Sequence, residues 1–77
     1  MITVLFFAEL QEQAGKPQLE LELGETTVRE LKERLESTLK ITGLNRTMTA
    51  VNEEYALDSD AVKTGDTVAF IPPVSGG

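Results

Sequence analysis

Cysteine, histidine and tryptophan are absent from the 77 residues. Their absence excludes disulfides, zinc-finger ligand sets, and the Ser-His-Asp and Cys-His arrangements that depend on imidazole or thiolate. Positive charge is scarce as well: seven Lys and Arg against thirteen Asp and Glu leave a net charge of −6. That is the wrong sign for gripping phosphates, and the basic residues are dispersed, so neither nucleic acid nor an anionic membrane is expected as a partner. No apolar run approaches the ~20 residues that a membrane-spanning helix needs. The opening MITVLFFA is apolar, but no basic residue precedes it and no small-residue cleavage pattern follows. It reads as a buried strand rather than a signal peptide, and a cytoplasmic protein is expected. A chain this short supports one domain with an economical core and has no room for a deep active site of its own.

What is present alternates in an orderly way. Ile2 to Phe7 is apolar at both parities, as in a strand that wants cover on both faces. Gln18 to Leu23 sets Leu19, Leu21 and Leu23 against Gln18, Glu20 and Glu22, the pattern of a strand with one wet face. Gly15-Lys16-Pro17 supplies a turn, so these two strands read as a hairpin. Thr27 followed by Glu30 has the capping-box spacing, and Val28, Leu31, Leu35 and Leu39 then form one apolar stripe of a helix. Arg29/Glu33, Glu30/Arg34 and Lys32/Glu36 are spaced to pair on its opposite face, and Gly43 is the candidate stop. Thr47 to Asn52 reads as a third strand, Glu53-Glu54 as a turn, and Tyr55 to Leu57 as a brief fourth strand. Gly65-Asp66 marks a tight turn before the last strand, Thr67 to Ile71, which is again apolar at both parities and ends at Pro72-Pro73.

Strand, strand, helix, strand, strand, strand is the order of an α+β ubiquitin-like β-grasp: a mixed sheet of about five strands packed on one main helix. In that arrangement the first and last strands lie side by side at the centre, which suits the two most apolar segments. Residues 1–73 are expected to form the domain and 74–77 a flexible tail.

With side-chain nucleophiles so few, the unusual chemical group is a carboxylate on Gly77. Gly76 and Gly77 lack a Cβ, so this end is thin enough to enter a narrow channel in another protein. Val74 to Gly77 extends roughly 13 Å at ~3.3 Å per residue, beyond an exit stiffened by Pro72 and Pro73. Two terminal glycines taken alone are more often a frayed end than a functional group. Leu5 and Phe7 on the first strand, with Ala69 and Ile71 on the last, face away from the helix and are candidates for partner binding. The alternative is that residues 40–47 or 58–64 fold over them.

VLFFAELQEQAG near the start, AVN in the middle and GDTVAFIPPVSGG at the end resemble the small, sulfur-carrying subunits of molybdopterin synthases. The blocks span nearly the whole chain, and the terminal one is the most specific. Gln11 stands where the family often has arginine. The resemblance implies that a partner activating enzyme, E1-like, uses ATP to adenylate the Gly77 carboxylate, and that a sulfurtransferase donor supplies the sulfur for a thiocarboxylate. Pro73, Val74, Ser75 and Gly76 are then expected in the channel of a large subunit, where the sulfur converts cyclic pyranopterin monophosphate to molybdopterin. It further implies a heterotetramer, two large subunits at the centre with one copy of this chain at each end. The chain is expected to act as a co-substrate, non-catalytic alone, binding no cofactor or metal itself. Alternatives are a sulfur carrier for thiazole synthesis or tRNA thiolation, a ubiquitin-like modifier joined to lysine through Gly77, or a plain interaction module. Glu53, Glu54, Asp58 and Asp60 read as a solvated acidic rim rather than a cation site. Asp66 reads as a turn residue, and Tyr55 as packing at a sheet edge.

Overall fold

The computed structural model describes residues 1–73. Its elements in chain order are β1 (Ile2–Phe6), α1 (Glu9–Ala14), β2 (Gln18–Leu21), β3 (Thr26–Thr27), α2 (Val28–Leu39), a 3₁₀ turn (Leu44–Arg46), β4 (Met48–Val51), β5 (Glu54–Ala56), β6 (Ala61–Val62) and β7 (Thr67–Ile71). Five strands form one sheet in the order β2-β1-β7-β4-β5. The first and last strands do lie side by side, parallel, with Val4 opposite Val68 and Phe6 opposite Phe70. The other pairings in this sheet are antiparallel. A parallel pair cannot be closed by a tight turn and needs a crossover, which α2 supplies.

Period-two alternation sends Ile2, Val4 and Phe6 of β1, and Val68 and Phe70 of β7, to one face of the sheet. There they meet Val28, Leu31 and Leu35 of α2, with Leu10, Ile41, Leu44 and Val62 completing the core. Leu19 and Leu21 of β2 pack against its edge, as their alternation anticipates. Among the described residues the helix side alone is covered, which leaves the face of Leu5, Phe7, Ala69 and Ile71 open as expected.

Several local features depart from the sequence pattern. The first hairpin is not a tight one; β1 and β2 pair antiparallel, but α1 lies between them. A helix of six residues is too short to be stable alone, and its anchor is Leu10, which sits in the core at 2% exposure. Gly15, left-handed at φ 78°, returns its N–H to the Gln11 carbonyl and ends it. The capping box is half formed: Thr27 Oγ1 accepts from the Glu30 N–H at 3.2 Å, while the Glu30 carboxylate accepts from the hydroxyls of Thr26 and Thr27. Thr27 also belongs to the two-residue ladder of β3 with β6, a pairing the sequence pattern does not reveal. The helix stops at Lys40, left-handed at φ 59°, before the candidate Gly43 is reached. Stopping there lets Ile41 and Leu44 turn back into the core.

Lys32 does not pair with Glu36. Four residues after Val28, it lies on the shoulder of the apolar stripe, its stem buried, and its Nζ reaches Asp58 Oδ1 at 2.8 Å. This is the one ion pair among the described residues. The Lys32 ammonium beside Asp58 holds that carboxyl below its ordinary range, chiefly through the hydrogen bond.

The turn joining β4 to β5 is Asn52-Glu53, one residue earlier than the pattern suggests, and both residues are left-handed at φ 52° and 69°. This two-residue turn favours Asn-Gly, because a left-handed residue with a Cβ costs about 1–2 kcal/mol. Glycine at the second position removes that strain, offset by about 0.5–1 kcal/mol of added backbone entropy in the unfolded chain. Glu53→Gly is therefore expected to stabilise the fold by about 0.5–1 kcal/mol. Urea denaturation should show a higher midpoint at unchanged slope.

Candidate functional site

The uncovered face follows from the strand registers. Leu5 lies opposite Ala69, Ala69 opposite Ala50, and Ala50 opposite Tyr55, a row that crosses four strands. Two alanines at its middle, flanked by leucine and tyrosine, make a shallow trough. The next row pairs Met48 with Ile71, and Phe7 follows directly on β1. Phe7, Met48 and Tyr55 are 44%, 46% and 75% exposed, large apolar surface left uncovered by the described residues. All four residues expected to bind a partner, Leu5, Phe7, Ala69 and Ile71, line this one depression. Ala50, Met48 and Tyr55 escaped the sequence reading as members of the face. The alternation of Met48 and Ala50 is a usable signal for it only once β4 is known to lie beside β7.

Neither candidate loop covers the trough. Residues 40–47 stay on the helix side, where Ile41 and Leu44 are buried and Gln13 brackets Thr42, accepting from its N–H at 3.0 Å and donating to its carbonyl at 3.2 Å. Residues 58–64 cap α2: the Asp60 and Asp58 carbonyls accept from Val28 and Arg29, and Val62 is buried.

The two ends of the face differ. At one end Asp66 organises a polar turn, accepting from the Lys63 N–H and the Asn52 amide at 2.9 Å each, while Asn52 accepts from Thr67 N–H. Gly65 in that turn stands at φ 94°, as its place before Asp66 suggests. The Lys63 N–H, and then the Asn52 amide, hold the Asp66 carboxyl below its ordinary range. A carboxyl depressed in the folded chain adds stability above its unfolded range, which is lost as pH falls through the folded value. The rim is acidic or neutral, with Glu53 in the lining and Glu20 and Gln18 on β2 opposite Thr3 and Leu5.

At the other end the parallel strands β1 and β7 finish together, so Phe7 and Ala8 meet Ile71, Pro72 and Pro73 around a second, almost wholly apolar depression. Pro73 is exposed and is the last described residue. Val74, Ser75, Gly76 and Gly77, the expected tail and its reacting carboxylate, lie outside the described residues. The described part of the site is therefore an apolar trough that ends beside Pro72 and Pro73. Among the described residues no helix is long and apolar enough to cross a membrane.

A model of the ThiS family matches residues 4–77. The molybdopterin synthase sulfur carrier subunit of Arabidopsis thaliana is 42% identical over 82 residues, covering 99% of this chain and 82% of the plant protein. The protein of that name from Haemophilus influenzae is 35% identical over 81 residues, and the match covers both chains in full. Among solved structures, the small archaeal modifier protein 1 of H. volcanii superposes with a TM-score of 0.80 at 25% identity, covering 95% of this chain and 97% of that one.

Proposed function

The chain belongs to the ThiS family, and from that premise we propose that it is the sulfur-carrying small subunit of a molybdopterin synthase. The observation that carries this reading is the match at 35% identity to a whole sulfur carrier subunit, from one end of each chain to the other. Gly77 is the reacting residue. A carboxylate is a poor electrophile; its oxygen attacks the α-phosphorus of ATP on an activating enzyme, pyrophosphate leaves, and the resulting mixed anhydride accepts a sulfur nucleophile as AMP departs. The thiocarboxylate so formed delivers sulfur without any cysteine in the chain. The large subunit supplies the catalytic side chains and takes up the segment beyond Pro73, while the trough of Leu5, Phe7, Ala69 and Ile71 docks against it in a heterotetramer. The work is cytoplasmic, and the chain holds no cofactor of its own.

Intact mass of the chain recovered from cells that make molybdopterin tests the chemistry. Exchange of one oxygen for sulfur adds about 16 Da, as does oxidation of Met1 or Met48, so the sample is also treated with iodoacetamide. An alkylated species mapping to Gly77 is expected; its absence where the activating enzyme is present overturns the reading. The likeness to an archaeal modifier favours a second reading, attachment of Gly77 to lysine, which isopeptide-linked conjugates in the same extract would reveal.

The docking face has its own test. A carboxylate placed among apolar contacts is left without a partner, and central aromatic positions of interfaces often carry 2 kcal/mol or more. Phe7→Asp is expected to weaken binding to the large subunit about 30-fold, with the urea midpoint little changed because Phe7 lies outside the core. Unaltered affinity measured by calorimetry would remove Phe7 from the interface.

A further inference from the structure

Ala8 has a backbone that alanine adopts with difficulty. It stands at φ 51°, ψ −128°, between the end of β1 and the start of α1. The Leu10 N–H closes the turn onto the Phe7 carbonyl at 3.1 Å. This is the first central position of a type II′ turn, where glycine is the residue without strain. The other residues with a side chain and positive φ, Lys40, Asn52 and Glu53, have φ values of 52–69°, and all three have plain roles: Lys40 ends a helix, while Asn52 and Glu53 make a hairpin turn. Ala8 does neither. The turn is needed to bring Leu10 under the sheet, but glycine would achieve that at lower strain.

What alanine supplies is restriction. The methyl group narrows the rotations open to the Phe7–Ala8 link, and Phe7 is the residue that most needs such restriction. At 44% exposure it has little intramolecular packing to hold it. Its neighbours in the depression are Ile71, Pro72 and Pro73, so it stands where the chain leaves the fold toward Gly77. Pro72 and Pro73 are stiff for their own reason, the fixed φ of proline. The wall opposite them is stiff only if residue 8 is.

We infer that Ala8 is a positioning residue: its strained turn fixes Phe7 as a preformed aromatic anchor at the root of the C-terminal segment. A partner that takes up that segment then spends less of its binding energy on ordering the anchor. The inference rests on the reading that Phe7 docks against the large subunit. Strain held at a recognition site is consistent with a role in preorganisation.

Three chains made by total synthesis separate this from an incidental strained turn: the natural sequence, Ala8→Gly, and Ala8 replaced by its D-enantiomer. D-alanine favours positive φ, so it relieves the strain and keeps the restriction. Urea midpoints and affinities for the large subunit from the same source are measured for each, with Phe7→Asp as the control. Both replacements are expected to raise the midpoint. Ala8→Gly is expected to bind roughly fivefold more weakly, and the D-alanine chain to bind like the natural one. A glycine variant that is more stable and binds equally well overturns the inference, as does one whose midpoint falls. Normal binding by Phe7→Asp would instead overturn the docking reading beneath it.

Discussion

A chain lacking Gly76 and Gly77 is expected to support no molybdopterin formation when mixed with cyclic pyranopterin monophosphate, the large subunit, the activating enzyme, ATP and a sulfur source, because the atom that carries sulfur is gone. No compensation from a neighbour is available, since the sequence holds neither cysteine nor histidine. The described core residues run from Ile2 to Phe70, so the urea midpoint should stay within experimental error of the full chain. The truncated chain keeps Leu5, Phe7, Ala69 and Ile71 and should compete with the full one for the large subunit. Product formation measured alongside that competition divides the two roles. Turnover by the truncated chain would show that the chemistry is not at Gly77.

The second large effect concerns folding. Phe70 is fully buried on β7, the middle strand of the sheet, with Phe6 opposite on β1 and Thr49 opposite on β4. Removing a buried phenylalanine side chain costs about 3–5 kcal/mol through lost transfer energy and a residual cavity. A domain of 77 residues has only about 4–12 kcal/mol in total at ~0.05–0.15 kcal/mol per residue. Phe70→Ala should therefore lose about a quarter of the stability or more, read from the urea midpoint. Its neighbour Ala69 looks the other way, into the trough. Enlarging Ala69 to leucine should disturb partner binding far more than folding, so adjacent positions on one strand separate the two functions of the sheet.

The features legible in the sequence were those with a long or doubled signal. Two strands apolar at both parities identified the centre of the sheet, and Val28, Leu31, Leu35 and Leu39 identified the helix and the face it covers. Once one face was assigned to the helix, Leu5, Phe7, Ala69 and Ile71 followed for the other. The misses were short or non-local. In α1 a single apolar residue, Leu10, carries the burial, too little for periodicity to register. The β3–β6 ladder is two residues long and joins segments more than thirty positions apart. Lys32 pairs with Asp58 rather than Glu36 because its place on the shoulder of the apolar stripe outweighs its charge spacing, and Lys40 ends the helix because burying Ile41 and Leu44 outweighs a glycine three residues on.

The strand at the middle of the sheet is also late in the order of synthesis. Without residues 67–71, the sheet order β2-β1-β7-β4-β5 falls apart into two separate hairpins, β1 with β2 and β4 with β5, and isolated hairpins are at best marginally stable in water. A nascent chain still holding β7 inside the ribosome has no trough, because Thr67, Ala69 and Ile71 of its lining have not emerged. Chains ended before β7 are in the same position: each carries a carboxylate, but none has the trough. The topology thus makes the trough itself conditional on translation having passed β7.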